Sequence, residues 1–131
     1  MKVLIISGTR TIREKLRELI EAQPGFKDVK EGGDTSINLQ TIEDFAPDVA
    51  VIDLQMPLQI CTEAIRRMLR LKPNLKIIAL SMHADRRYLD ECLKAGVCGY
   101  LLKDCAYEEL ADAISTVASD RQYVSSSIRV H

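Results

Sequence analysis

Short apolar runs and longer amphipathic stretches alternate five times along this chain of 131 residues. No other feature constrains its fold as strongly. The apolar runs cover residues 3–7, 26–30, 49–53, 75–81 and 97–102. Runs of this length, rich in valine, isoleucine and leucine, read as strands buried on both faces. The second run holds two lysines and an aspartate and reads as an edge strand. Between the runs lie helical stripes: Ile12, Leu16, Leu19 and Ile20; Ala64, Ile65, Met68 and Leu69; Leu89, Cys92 and Leu93; Leu110, Ala113, Ile114 and Val117. A shorter stripe of Ile37, Ile42 and Phe45 makes the second helix, with Thr35 or Ser36 as its cap. Thr11 and Glu14 are spaced as a capping box for the first helix. Pro24-Gly25, Pro73-Asn74 and Gly96 stop helices, Gly32-Gly33-Asp34 is a turn, and Glu108 and Glu109 favour the first turn of the fifth helix.

Strict alternation with short loops demands an α/β fold: a five-stranded parallel sheet, doubly wound by helices through right-handed crossovers. This is the (βα)5, flavodoxin-like arrangement, with strand order 2-1-3-4-5. Residues 1–118 form one domain. From Ser119 the pattern decays, and residues 119–131, with Ser125-Ser126-Ser127, read as a C-terminal tail or the start of a linker. Net charge is −1 with the basic residues scattered, which argues against nucleic-acid binding by this chain alone. No run reaches membrane-spanning length, and the apolar start breaks at Ser7, too soon for a signal peptide, so a cytoplasmic location is expected. Cys61, Cys92, Cys98 and Cys105 show no Cys-x-x-Cys pair and no histidine at ligand spacing, and read as reduced, mostly buried thiols.

In such a sheet, ligands bind beyond the carboxyl ends of the strands, where strand order reverses. That point gathers Ser7, Gly8, Thr9 and Arg10 with Asp53, Ser81 and Lys103. A carboxylate there can attack phosphorus and form an aspartyl-phosphate. The ammonium of Lys103 would neutralise added charge, and the Ser81 hydroxyl could donate to a phosphoryl oxygen.

At these residues the chain resembles the receiver domain of bacterial two-component response regulators, over nearly its whole length to about Val117. Asp53-x-x-Met-Pro57 resembles the phospho-acceptor motif, Ala79-Leu-Ser81 the family's hydroxyl, and Gly99-Tyr100-Leu-Leu-Lys103 the strand with the switch aromatic and the lysine. Asp104 after Lys103, Ser81-Met-His83 and Tyr123-Val-Ser are similar to the NarL/FixJ subgroup. The resemblance implies a signalling module in a phosphorelay, not an enzyme. Asp53 would be the phospho-acceptor, Ser81, Tyr100 and Lys103 the phosphoryl-contacting and switch residues. The partner would be a histidine kinase or other signalling protein, with a homodimer through the fourth helix, fifth strand and fifth helix. The family places two acidic residues at the end of strand 1 to hold magnesium with the acceptor; here they are Ser7 and Gly8. Magnesium binding is therefore expected to be weak or absent, with Lys103 and Arg10 near Asp53 replacing the cation. Cys61 stands where the family commonly has glycine. A Mg-dependent phospho-acceptor controlling a DNA-binding domain is the alternative. A flavin or nucleotide binder, using the hydroxyl-rich loop at residues 7–11, is a minor one.

Overall fold

The computed structural model describes residues 1–25, 28–33, 39–55, 57–126 and 128. Its elements are β1 (Lys2–Ile6), α1 (Arg10–Glu21), β2 (Asp28–Gly32), α2 (Leu39–Phe45), β3 (Val49–Asp53), α3 (Leu58–Leu71), β4 (Lys76–Ser81), α4 (Arg86–Ala95), β5 (Gly99–Leu102), α5 (Ala106–Ala118) and β6 (Tyr123–Val124). The sheet runs β2-β1-β3-β4-β5-β6, and every neighbouring pair is parallel. The α/β, doubly wound order 2-1-3-4-5 is thus present, extended by one strand at the β5 edge.

Side chains alternate across the pleat and feed two cores. Leu4, Ala50, Ile52, Ile77, Ala79 and Tyr100 face α2, α3 and α4, where Ile42, Ile65, Met68 and Leu89 meet them. Val3, Ile5, Val51, Ile78, Leu80 and Leu101 face α1 and α5, meeting Leu16, Ile20, Leu110 and Ile114. All five residues of β3 are buried, as a strand covered on both faces requires. At β2 only Val29 is buried, as suits an edge. Arg66, Arg67 and Arg70 lie on the wet side of α3.

Several local details differ from the sequence expectations. The first helix begins at Arg10 with Thr9 as its N-cap, so Thr11 and Glu14 do not form a capping box; Glu14 instead pairs with Arg10 at 2.8 Å. Thr9 makes no side-chain capping bond, and its hydroxyl accepts from Gln55 Nε2 at 2.9 Å. The second strand runs to Gly32, two residues past the expected Lys30, because its pairing with β1 continues that far, Ile6 against Gly32. β6 was not expected at all. Phe26, Lys27, Asp34, Thr35, Ser36, Ile37, Met56 and Ser127 lie outside the described residues. The four cysteines form no disulfide; Cys61 and Cys92 are buried, Cys98 and Cys105 half-buried.

Candidate functional site

Asp53 is the last residue of β3, level with Leu80 of β4. The Leu54 amide donates to the Leu80 carbonyl at 2.9 Å, so the ladder continues past Asp53 and fixes its backbone. The side chain has no solvent-exposed surface. One carboxylate oxygen, Oδ2, accepts from the Ser7 hydroxyl at 2.8 Å. The other, Oδ1, lies 2.5 Å from Lys103 Nζ. That contact is an ion pair between the Lys103 ammonium and the Asp53 carboxylate. A buried carboxylate needs such compensation, and here a hydroxyl and an ammonium supply it.

Each partner is placed by its strand. Ser7 follows β1 directly, is buried, and its amide donates to the Gly32 carbonyl at 3.1 Å. Lys103 follows β5, and its amide donates to the Ser81 carbonyl at 2.9 Å. The Ser81 side chain is also buried, and its hydroxyl accepts from the His83 amide at 3.0 Å. Tyr100 is fully buried on β5, not packed with its hydroxyl in water as an edge tyrosine would be. Its hydroxyl donates to the His83 carbonyl at 2.7 Å. Burial pushes the Tyr100 hydroxyl up to about 12, against a smaller lowering by its hydrogen bond with Ser81. The His83 ring is exposed and stacks on Tyr88, 3.7 Å between centroids.

Of the residues expected at the site, Ser7, Asp53 and Lys103 meet directly, and Ser81 joins through the Lys103 backbone. Gly8 is an exposed turn residue. Arg10 corrects the expectation placed on it: its side chain is 82% exposed and turned to Glu14. The arginine that reaches this end of β1 is Arg13, whose Nη1 donates to the Ser7 carbonyl at 2.8 Å and whose Nε lies 3.5 Å from Glu31. Helical spacing could have found it, because Arg13 precedes Leu16 by three residues and shares its side of α1. The Gln55–Thr9 bond, joining the loops after β3 and β1, carries no sequence signal. Among the described residues, no three of His, Cys, Asp or Glu come together as a metal site would need. No described helix is long and apolar enough to cross a membrane.

Comparison with known proteins identifies the family and the fold. The response regulator receiver domain family matches residues 3–115. The chain is 32% identical over 124 residues to the transcriptional regulatory protein DegU of Brevibacillus brevis, covering 95% of this chain and 52% of that one. It is 30% identical over 128 residues to the response regulator UvrY of Escherichia coli K12, covering 98% and 59%. The chain therefore spans only a little over half the length of these curated relatives. Among solved structures, a LuxR-family two-component response regulator from Aurantimonas sp. SI85-9A1 superposes with TM-score 0.87 at 28% identity, over 97% of this chain and 91% of that one. The isolated receiver domain of RcsB from Salmonella enterica serovar Typhimurium, at 22% identity, shares the fold with TM-score 0.84 over 98% and 95%.

Proposed function

The chain belongs to the response regulator receiver family, signalling modules rather than enzymes, and on that premise we propose that Asp53 is its acceptor position, held by Ser7 and Lys103 in place of a divalent cation. Phosphoryl transfer to it is then slow or absent. The observation that carries this reading is the engagement of both Asp53 oxygens, by the Ser7 hydroxyl and the Lys103 ammonium. The donor set does not fit magnesium. That ion demands about six hard oxygens at roughly 2.0–2.1 Å, usually with carboxylates supplying charge. Here one carboxylate stands with a serine and a glycine at the end of β1, and a cation already touches it.

The experiment is incubation with a small-molecule phosphodonor, with and without magnesium, read by intact mass. The wild-type chain is expected to gain no stable phosphoryl group under either condition. The double variant Ser7→Asp with Gly8→Asp is expected to gain one only with magnesium, and to lose it again with Asp53→Asn. A magnesium-dependent gain in the wild-type chain, abolished by Asp53→Asn, would overturn the reading in favour of the alternative, a Mg-dependent phospho-acceptor that uses Ser81 and Lys103. Retention of those two residues is the observation on that side.

Partners follow from the same premise: a histidine kinase or another signalling protein, and a second copy through the face of α4, β5 and α5. Regulation of a DNA-binding segment is proposed because DegU, a relative, is a transcriptional regulatory protein. The flavin or nucleotide reading gives way to the family match, and the Ser7 hydroxyl of the loop at residues 7–11 is taken up by Asp53 and the Thr9 amide.

A further inference from the structure

Glu109 holds the chain that follows α5. From the first turn of that helix its carboxylate accepts from the Tyr123 hydroxyl at 2.6 Å, the Ser125 hydroxyl at 2.5 Å and the Ser126 amide at 3.3 Å. Burial opposes its ionisation, but the bonds from Ser125, Tyr123 and Ser126 outweigh it and hold the carboxyl below the usual range. Meanwhile the Tyr123 and Ser125 amides donate to the Cys98 and Tyr100 carbonyls at 2.9 and 2.8 Å, laying β6 along β5. Ser125 is buried, and Ile128 is buried in the same apolar cluster as Tyr100.

Tyr100 is bonded at both ends. Its carbonyl accepts from the Ser125 amide, and its hydroxyl donates to the His83 carbonyl. The His83 amide donates in turn to the Ser81 hydroxyl. A hydrogen-bonded route thus runs from the end of β4, through Tyr100, to the segment gripped by Glu109.

We propose that residues 123–126 with Ile128 form a strap locked by Glu109, and that its docking is linked through Tyr100 to the conformation of residues 82–88, the loop after β4 with the first turn of α4. Linkage is reciprocal: whatever loosens the loop must loosen the strap, and the converse. The strap is then the element through which a change at the Ser81 end of the sheet reaches chain beyond α5. This does not depend on whether Asp53 is phosphorylated.

Hydrogen exchange on the full 131-residue chain tests both parts. In Glu109→Ala, amides at 123–126 are expected to exchange at least about tenfold faster, the size expected from losing bonds to a charged acceptor, with Glu109→Gln intermediate. Exchange at residues 82–88 should rise with them, while β1 and β3 stay unchanged. In the reciprocal arm, Tyr100→Phe is expected to speed exchange at 123–126. Should Glu109→Ala unfold, Ser125→Ala takes its place with the same expectation. A strap that stays protected in the variant tested would overturn the lock. A freed strap with residues 82–88 unaffected, or a strap indifferent to Tyr100→Phe, would overturn the linkage.

Discussion

Asp53 carries its carboxylate into a place with no exposed side-chain surface, where, among the described residues, Ser7 and Lys103 compensate it. Removing one partner of a buried pair leaves the other charge stranded, at a cost of about 3–5 kcal/mol. Lys103→Ala should therefore lower stability by about that much, read from urea midpoints. Asp53→Asn should cost less, because the amide is neutral and Lys103, whose side chain is 19% exposed, can turn toward water. The double variant should sit close to Asp53→Asn alone, since Lys103 then has no charge left to balance. Equal and additive losses would show that the pair is not coupled. Tyr100 gives a second test at this scale. Its hydroxyl is raised from 10.0 to about 12, chiefly by burial, so the folded state holds that proton more tightly than the unfolded one. The stability this supplies is complete below pH 10 and is lost as pH rises toward about 12. Tyr123 is raised to about 12 as well, by burial and then by its bond to Glu109. Tyr100→Phe should consequently shrink, without abolishing, the alkaline fall in stability followed by denaturation at a series of pH values.

At the scale of elements, α4 shows how one residue ends a helix. Gly96 caps it at φ +113, where its amide donates to the Cys92 and Leu93 carbonyls. A Cβ at Gly96 would run into Leu69 Cδ1 of α3, whereas one at Gly25, with φ +92, would meet nothing within 4 Å. Gly25→Ala should thus cost only the left-handed strain, about 1–2 kcal/mol. Gly96→Ala should cost that plus about 1–3 kcal/mol for the overpacking of Leu69. Equal urea midpoints for the two variants would remove the steric argument. The stop at Gly96 was legible in the sequence, as were the three central strands and the stripes on α3, α4 and α5, because buried strands and amphipathic helices write periodic patterns that depend on no distant residue. The convergence of Ser7, Asp53 and Lys103 was legible for the same reason: topology delivers strand ends to one place. What was not legible depended on partners far along the chain. The start of α1 at Arg10 was not marked, because its N-cap Thr9 makes no side-chain capping bond and its hydroxyl meets Gln55, 46 positions away. Arg10 and Arg13 carry the same charge, and only the helix phase separates the one in water from the one on Ser7. Glu109 fitted its helix dipole well enough that nothing in the pattern marked it as the acceptor for Tyr123, Ser125 and Ser126.

For the whole molecule the question is whether the segment after α5 belongs to the domain's folding unit. Ordering residues 123–126 and 128 costs about 1–2 kcal/mol each. Three bonds to a charged acceptor return about 1.5–3 kcal/mol each, and burying Ile128 adds about 1.5–3 kcal/mol. With the Tyr123 and Ser125 amide bonds to β5 adding about 0.5–1.5 kcal/mol each, the balance favours docking by only about 2 kcal/mol, so the strap should open well before the sheet does, as a unit of low local stability. A chain ending at residue 118 should therefore still fold, with its urea midpoint moved by no more than about 1–2 kcal/mol of stability. If it failed to fold at neutral pH, residues beyond 118 would be part of the core. Acid separates strap from sheet in the full chain. Because the folded Glu109 carboxyl is held below its ordinary value of 4.5, its contribution is complete above that value and is lost as pH falls through the depressed one. Protonation turns an acceptor of three donors into a group that must itself donate, and the Ser125 and Ser126 amides should broaden and shift in nuclear magnetic resonance spectra while β1 and β3 resonances hold. In Glu109→Gln that acid step should disappear. If the Ser125 and Ser126 resonances moved at the same pH in the variant as in the wild-type chain, some other carboxyl would be holding the strap.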